Sequence, residues 1–395
     1  EKRQDIYSVF FFVSMLTSYD AYISMMNKKI IIESPGRINM IGEHIDYNGG
    51  LVMPAATNKK LIIEIEISKG NNSVVRSKLF DESFEINIDS IKKSEVGWHN
   101  YILGVLENLT TKRQVRLVNF SCVIGGNLPV GAGVSSSSSL ICGVLKGISS
   151  INSLDISNEE IIQIAREVEH EFIGVKGGIM DQFTIINGKE NKLILLDCSD
   201  LSYKYVDANF DKYQILLLNT NVKHNLSETS YNDRVLECSE ALEIINRKKN
   251  KYKYLVDVPS DVLQNLKSEF QKNIFKRALY VIEEQKRVRD AYKSLLDNDM
   301  ISLGKLMYES HFGLKNLYEV SCKELDFLVE YSTMKSYVIG SRMMGGGFGG
   351  CVINLIDKDE TEGYIKNISR RYQEKFSISL ECHIIDVSEG LKLSI

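Results

Sequence analysis

The span 117–149 constrains the fold most, because its hydrophobic period changes from that of a strand to that of a helix across a run of glycines. Residues 117–124 read as a strand, GGNLPVGAG follows, and 135–149 carries Ile141, Val144, Leu145 and Ile148 at helical spacing. Glycines let the backbone approach a ligand, and the helix behind them points unpaired amides and its positive dipole end back at the loop. That arrangement cradles phosphate. A flexible linker would join domains, whereas this loop joins a strand to an amphipathic helix. No GK[ST] follows the glycines, so it is not a Walker A loop. Ser136 stands where the dinucleotide fingerprint needs its third glycine.

A chain of 395 residues exceeds the roughly 300 at which single cores stop growing, so two domains are expected, dividing near Cys198. Strand patterns at 29–33, 61–67, 193–196, 214–219, 337–339 and 351–355 mix with helical patterns at 158–172, 228–248 and 273–296. The order predicts an α+β fold and not a regular βαβ repeat. A net charge of -4 and the lack of a dense Lys/Arg run with interleaved aromatics exclude a nucleic-acid partner. NRKKNKYKY near Lys248 reads as a solvated helix end and loop. The seven cysteines are scattered without a CxxC pair, which predicts reduced thiols and a cytoplasmic protein. The opening EKRQDIYSVFFFVSML has the outline of a signal peptide. Its apolar run is short, Tyr19 and Asp20 follow, and no small-residue cleavage site is present. An N-terminal extension, or a vector-derived or misread start before Met26, is expected instead, with no membrane partner.

Chemistry concentrates in three further segments. GRINMIGEHIDYNGG places Arg37, Glu43, His44 and Asp46 close together between glycines. Carboxylates accept from neighbouring hydroxyls while Arg and His donate, and a site so built rejects ligands that lack those hydroxyls. A polyol is the expected ligand; taken alone, the segment also reads as a charged surface turn. In GGIMDQF, Asp181 stands among apolar and glycine residues just after a helix, where partial burial calls for a partner such as Arg37. A lone Asp in a loop would otherwise be a cap or turn residue. GGGFGG at 345–350 formally satisfies GxGxxG, yet CVINLI after it reads as a strand where the dinucleotide fingerprint needs a helix. It marks tight backbone turns near a bulky group, or a plain structural turn.

In this order the motifs resemble the GHMP kinase family, over Lys28 to about Val387. Within that family GRINMIGEHIDYNGG is similar to the galactokinase signature, usually GRVNLIGEHTDYNxG. GWHNYILGV, EHEFIGVKGGIMDQF and NTNVKHNLSETSYNDR are further galactokinase-like pieces, while the phosphate loop and GGGFGGC are shared more widely. Ile45 replaces the usual Thr, Asn127 a common Asp, and Lys176 and Gly177 a frequent Pro and Cys.

The resemblance implies an α+β, two-domain GHMP kinase-like fold with the active site in the interdomain cleft, between an N-terminal domain 26–198 and a C-terminal domain 199–395. It implies a monomeric kinase that uses ATP and Mg2+ to phosphorylate the anomeric hydroxyl of a sugar. D-Galactose is the first expectation, with N-acetylgalactosamine or L-arabinose as alternatives and a galactose/ATP sensor as a reading from another class. Carried over by position, Asp181 faces the anomeric hydroxyl as general base or positioning group, with Arg37 as its partner. Glu43, His44, Asp46, Gly178 and Tyr231 correspond to sugar-binding positions. Gly131, Ala132, Gly133, Val134, Ser135, Ser136 and Ser137 correspond to the loop around the ATP phosphates, and Ser137 and Glu169 to magnesium ligands. Trp98 corresponds to an aromatic on the adenine side, or else it simply packs.

Overall fold

The computed structural model describes residues 29–222, 227–249 and 251–394. The apolar opening of the chain and residues 223–226, within NTNVKHNLSETSYNDR, lie outside them.

In the first half, strands β1 (Ile30–Asn39), β2 (Leu51–Val52), β3 (Pro54–Ile67), β4 (Ser73–Ser77) and β5 (Glu82–Ile86) precede helix α1 (His99–Glu107). Strand β6 (Phe120–Gly126), helices α2 (Ser136–Ile151), α3 (Asn158–Glu167) and α4 (Met180–Asn187), and strands β7 (Lys192–Asp197) and β8 (Tyr203–Asp207) follow. The period-two pattern places Leu61, Ile63 and Ile65 in the core while Glu66 faces water. The strand–loop–helix expected at 117–149 is β6, the glycine loop and α2, with α2 packed on β1 and β3. Helix α3 begins at a capping box formed by Ser157 and Glu160. The expected helix to 172 passes into wider π turns over Val168–Ile173 and stops at Gly174, whose φ of 98° no side chain favours. Asp181, expected in a loop, sits instead in the first turn of α4.

The second half contributes β9 (Tyr213–Asn219), α5 (Ser227–Lys249), α6 (Ser260–Asn265), α7 (Lys272–Leu296), α8 (Met300–Gly313) and α9 (Lys323–Thr333). Strands β10 (Val338–Met344) and β11 (Cys351–Asp357), helix α10 (Thr361–Phe376), and strands β12 (Glu381–Ile385) and β13 (Lys392–Ser394) complete it. Three sheets result, ordered β13-β1-β3-β6-β4-β5, β2-β7-β8 and β10-β11-β9-β12. The first is mixed, because β4 runs parallel to β6, and it recovers the C-terminal strand β13 beside β1. Cys198 lies in the turn between β7 and β8, which pair antiparallel in the second sheet. No helix among the described residues is long and apolar enough to cross a membrane.

Candidate active site

A cleft of about 490 Å3 draws its lining from both halves. Arg37, near the end of β1, donates from Nε to Asp181 Oδ1 at 2.7 Å and from Nη2 to Oδ2 at 3.2 Å, the two-pronged geometry that suits a guanidinium and a carboxylate. Its Nη1 donates to Gly133 O, and its backbone amide donates to Val134 O at 3.0 Å. One residue thus ties the carboxylate to the glycine loop. In that loop Gly131, Gly133 and Ser135 take φ values of 76°, 68° and 58°, left-handed turns of the kind that form anion-binding concavities. Ser135 precedes α2 without capping it; its hydroxyl donates to Asp181 instead. The Arg37 side chain is 6% exposed and that of Asp181 27%, so the pair is anchored at its cationic end and open at its anionic end.

The turn after β1 forms the adjoining wall. Glu43 accepts from Asn39 Nδ2 at 3.0 Å, from the Gly345 amide at 2.9 Å and from the fully buried Arg342. His44 holds Tyr47 Oη at 2.8 Å through Nδ1 and Gly346 O at 3.2 Å through Nε2. Burial pushes its imidazole down to about 3, so the ring is neutral. Asp46 packs on Gly178, where an added Cβ would stand 2.0 Å from Asp46 Oδ2; only glycine admits the carboxylate. Burial, then the neighbouring Asp181, push Asp46 up to about 7. Tyr231 on α5 lies 5.2 Å from the His44 ring, closing this end of the cleft. Across from it, Glu169 in the π turns accepts from Ser138 Oγ and Gln182 Nε2, each at 2.6 Å, and burial holds it at about 7.

Residues 100–189 match the family model for the GHMP kinases N terminal domain, 263–378 that for the GHMP kinases C terminal, and 20–66 the galactokinase galactose-binding signature. The galactokinase of Thermotoga maritima is 39% identical over 362 residues, which is 91% of this chain and 99% of that one. The chain belongs to the galactokinases of the GHMP kinase family. The galactokinase of Clostridium tetani is 38% identical over 90% of this chain and 91% of its own. A crystal structure of Lactococcus lactis galactokinase complexed with galactose superposes at a TM-score of 0.87, with 29% identity over 96% of this chain and 99% of that chain. Mevalonate kinase from Methanococcus jannaschii shares the fold at a TM-score of 0.64 and 20% identity, over 91% of this chain and 99% of its own.

The galactokinase positions do not all reach the cleft. Gly131, Gly133 and Ser137 line it, as do Glu43, His44, Asp46, Glu169, Gly178, Asp181 and Tyr231. Ala132 and Val134 turn into the core, and Ser136 opens helix α2. Trp98 stands outside the lining; its Nε1 donates to Glu82 at 2.9 Å, and its ring packs against Phe80 and Phe84 at 5.5 and 5.3 Å. Ile45, the departure within the galactokinase signature, is fully buried and packs against Gly50, away from the cleft lining.

Sequence reasoning passes over the residues that hold the signature turn. Helix α7 meets it with Tyr280 Oη donating to Glu43 O at 2.9 Å, Glu284 Oε1 accepting from the Gly42 amide at 3.0 Å, and Gln285 Oε1 accepting from the Leu51 amide at 2.8 Å. The available signal was Glu284 itself, a carboxylate at a position of α7 in line with the buried Val281 and Val288.

Proposed function

We propose that this chain, as a cytoplasmic monomer, transfers the γ-phosphoryl group of ATP to the anomeric hydroxyl of D-galactose, giving α-D-galactose 1-phosphate and ADP. The observation that carries the reading is Arg37, whose one guanidinium grips both Asp181 and the carbonyl of Gly133, so that an acid–base carboxylate and a phosphate loop share one cleft. In that cleft Asp181 takes or orients the hydroxyl proton, and Arg37 offsets charge on the transferring oxygens. His44, Asp46, Gly178 and Tyr231, backed by Glu43, form the sugar wall. Seven free thiols suit the cytoplasm.

Glu169 and Ser137 suit one Mg2+ ion. Among the described residues no group of three or more His, Cys, Asp or Glu forms a self-sufficient metal cage, and a magnesium ion that keeps phosphate and water ligands needs none. Bound there, it supplies charge neutralisation across the phosphate oxygens. Glu169 takes up a proton near pH 7, so its ionised fraction falls about tenfold between pH 8 and pH 6. The apparent Mg2+ affinity therefore weakens about tenfold over that range, and a Glu169→Gln enzyme loses this slope; equal affinity at both pH values in the parent enzyme would contradict the assignment. Stability has the opposite sign. A carboxyl raised from 4.5 to about 7 by folding contributes most below 4.5, and the contribution is lost as pH rises through 7.

Substrate choice is tested by coupled ADP release and thermal shift with D-galactose, N-acetylgalactosamine and L-arabinose. Galactose is expected to lead in both. A clear preference for another sugar overturns the galactose assignment, and binding without turnover marks a sensor.

A further inference from the structure

We infer that Tyr47 and Tyr318 are positioning residues for the sugar site, which fix the His44 imidazole as the neutral tautomer protonated on Nε2 through a hydrogen-bond chain ending on that ring. The inference rests on the reading of this cleft as a galactose site.

One carbonyl sets the direction of the whole chain. Gly346 O can only accept, so the Nε2 atom 3.2 Å away carries a proton. In a neutral ring Nδ1 is then a lone pair, and the Tyr47 hydroxyl at 2.8 Å donates to it. The Tyr47 oxygen in turn accepts from the Tyr318 hydroxyl at 2.7 Å, and the Tyr318 oxygen accepts from the Cys238 thiol at 3.2 Å. A doubly protonated ring would make Nδ1 a donor and reverse the chain. Burial opposes that form, and so do Arg234 and Arg342 nearby. Both phenols are pushed well above their ordinary range by burial, so their protons stay available for donation.

The chain is assembled from distant segments. Tyr47 belongs to the short turn Asp46–Asn48, Tyr318 closes the π turns Leu314–Tyr318, and Cys238 lies on α5. Tyr318 is fully buried, a position where phenylalanine would fill the space without a hydroxyl to satisfy. Arg234 pins the end of the π segment, donating from Nε to Tyr318 O at 2.8 Å and from Nη2 to Glu319 O at 3.1 Å. Asn48 Nδ2 donates to His44 O at 3.0 Å, holding a histidine whose φ of 62° is unusual for any side chain. The Nε2–H, shared between Gly346 O and a sugar hydroxyl as a three-centre bond, is the donor His44 offers the sugar. The other tautomer would set a lone pair against that carbonyl and offer the sugar no donor.

The test uses the full chain labelled with 15N-histidine. Without sugar at pH 7, the parent protein is expected to show His44 as one neutral tautomer protonated on Nε2. Tyr47→Phe is expected to yield a mixture of tautomers and to raise the galactose KM about tenfold, with kcat changed less than about threefold and the ATP KM unchanged. Tyr318→Phe is expected to move the same observables less. The double variant is expected to be no worse than Tyr47→Phe, because Tyr318 acts only through Tyr47. Three results overturn the inference: a parent ring protonated on Nδ1 or cationic at pH 7, an unchanged tautomer and KM in the single variants, or additive effects in the double variant. Should Tyr47→Phe fail to fold, Tyr318→Phe decides the matter by the same tautomer and KM readouts. If the parent enzyme does not turn over galactose, the reading of the cleft fails, while the sugar-free tautomer measurement still decides this one.

Discussion

Asp181→Ala lowers kcat by about a thousandfold or more, within the range by which positioned acid–base groups act, while ATP binding measured without sugar stays within about threefold of the parent value. The asymmetry follows from the geometry. Asp181 presents its open end to the cleft and receives Arg37 twice and Ser135 once at its closed end. Removing it deletes the group that meets the reacting hydroxyl, yet Arg37 keeps its bond to Gly133 O and the backbone bond to Val134, so the phosphate loop keeps its shape. Asp181→Asn, nearly the same size, is expected to lose turnover with less loss of stability. Steady-state kinetics with calorimetric ATP titration checks both halves; a variant retaining more than about 1% of parent kcat refutes the role.

Arg342→Met destabilises the protein by about 3–5 kcal/mol, because it leaves a buried charge without its partner. Arg342 is fully buried and donates to Met40 O at 2.8 Å, Met343 O at 2.7 Å, Asn39 O and the Glu43 carboxylate. Without it Glu43, 2% exposed, keeps hydrogen bonds from the Asn39 side chain and the Gly345 amide but loses the guanidinium in direct contact with it. A loss of this size lowers Tm by roughly 4–6 °C in a chain of 395 residues. Adding Glu43→Gln removes the stranded charge, so the double variant is expected to be more stable than the sum of the single losses allows. Urea unfolding of the four proteins measures the cycle, and a single-variant loss below about 1 kcal/mol would contradict the argument.

Legibility followed the range of the interactions. The glycine loop could be read because its left-handed residues and the helix after it are local choices, made by Gly131, Gly133 and the apolar stripe of α2. The start of α3 could be read because Ser157 and Glu160 cap it within four consecutive residues. Helices α8 and α9, over 300–333, gave no such signal. In α8 the buried face includes Gly304, Ser310 and His311 where an amphipathic pattern needs apolar side chains. Strand β8 gave little signal for a related reason: it shows little hydrophobic alternation, with Tyr203, Lys204 and Tyr205 all exposed.

In the site, the sequence by itself determined which chemical groups are present and the backbone turns that carry them: a guanidinium, an imidazole and carboxylates between glycines, beside a loop shaped for phosphate. Only the tertiary structure decided who holds whom. Arg37 meets Asp181 across 144 residues and Arg342 meets Glu43 across 299. It also turned Ile45 into the core, between His44 and Asp46, which both line the cleft. A hydrogen bond weakens steeply within fractions of an ångström and tens of degrees, and placement to that tolerance comes from the packing of the two halves, of which no local run of residues holds more than one side.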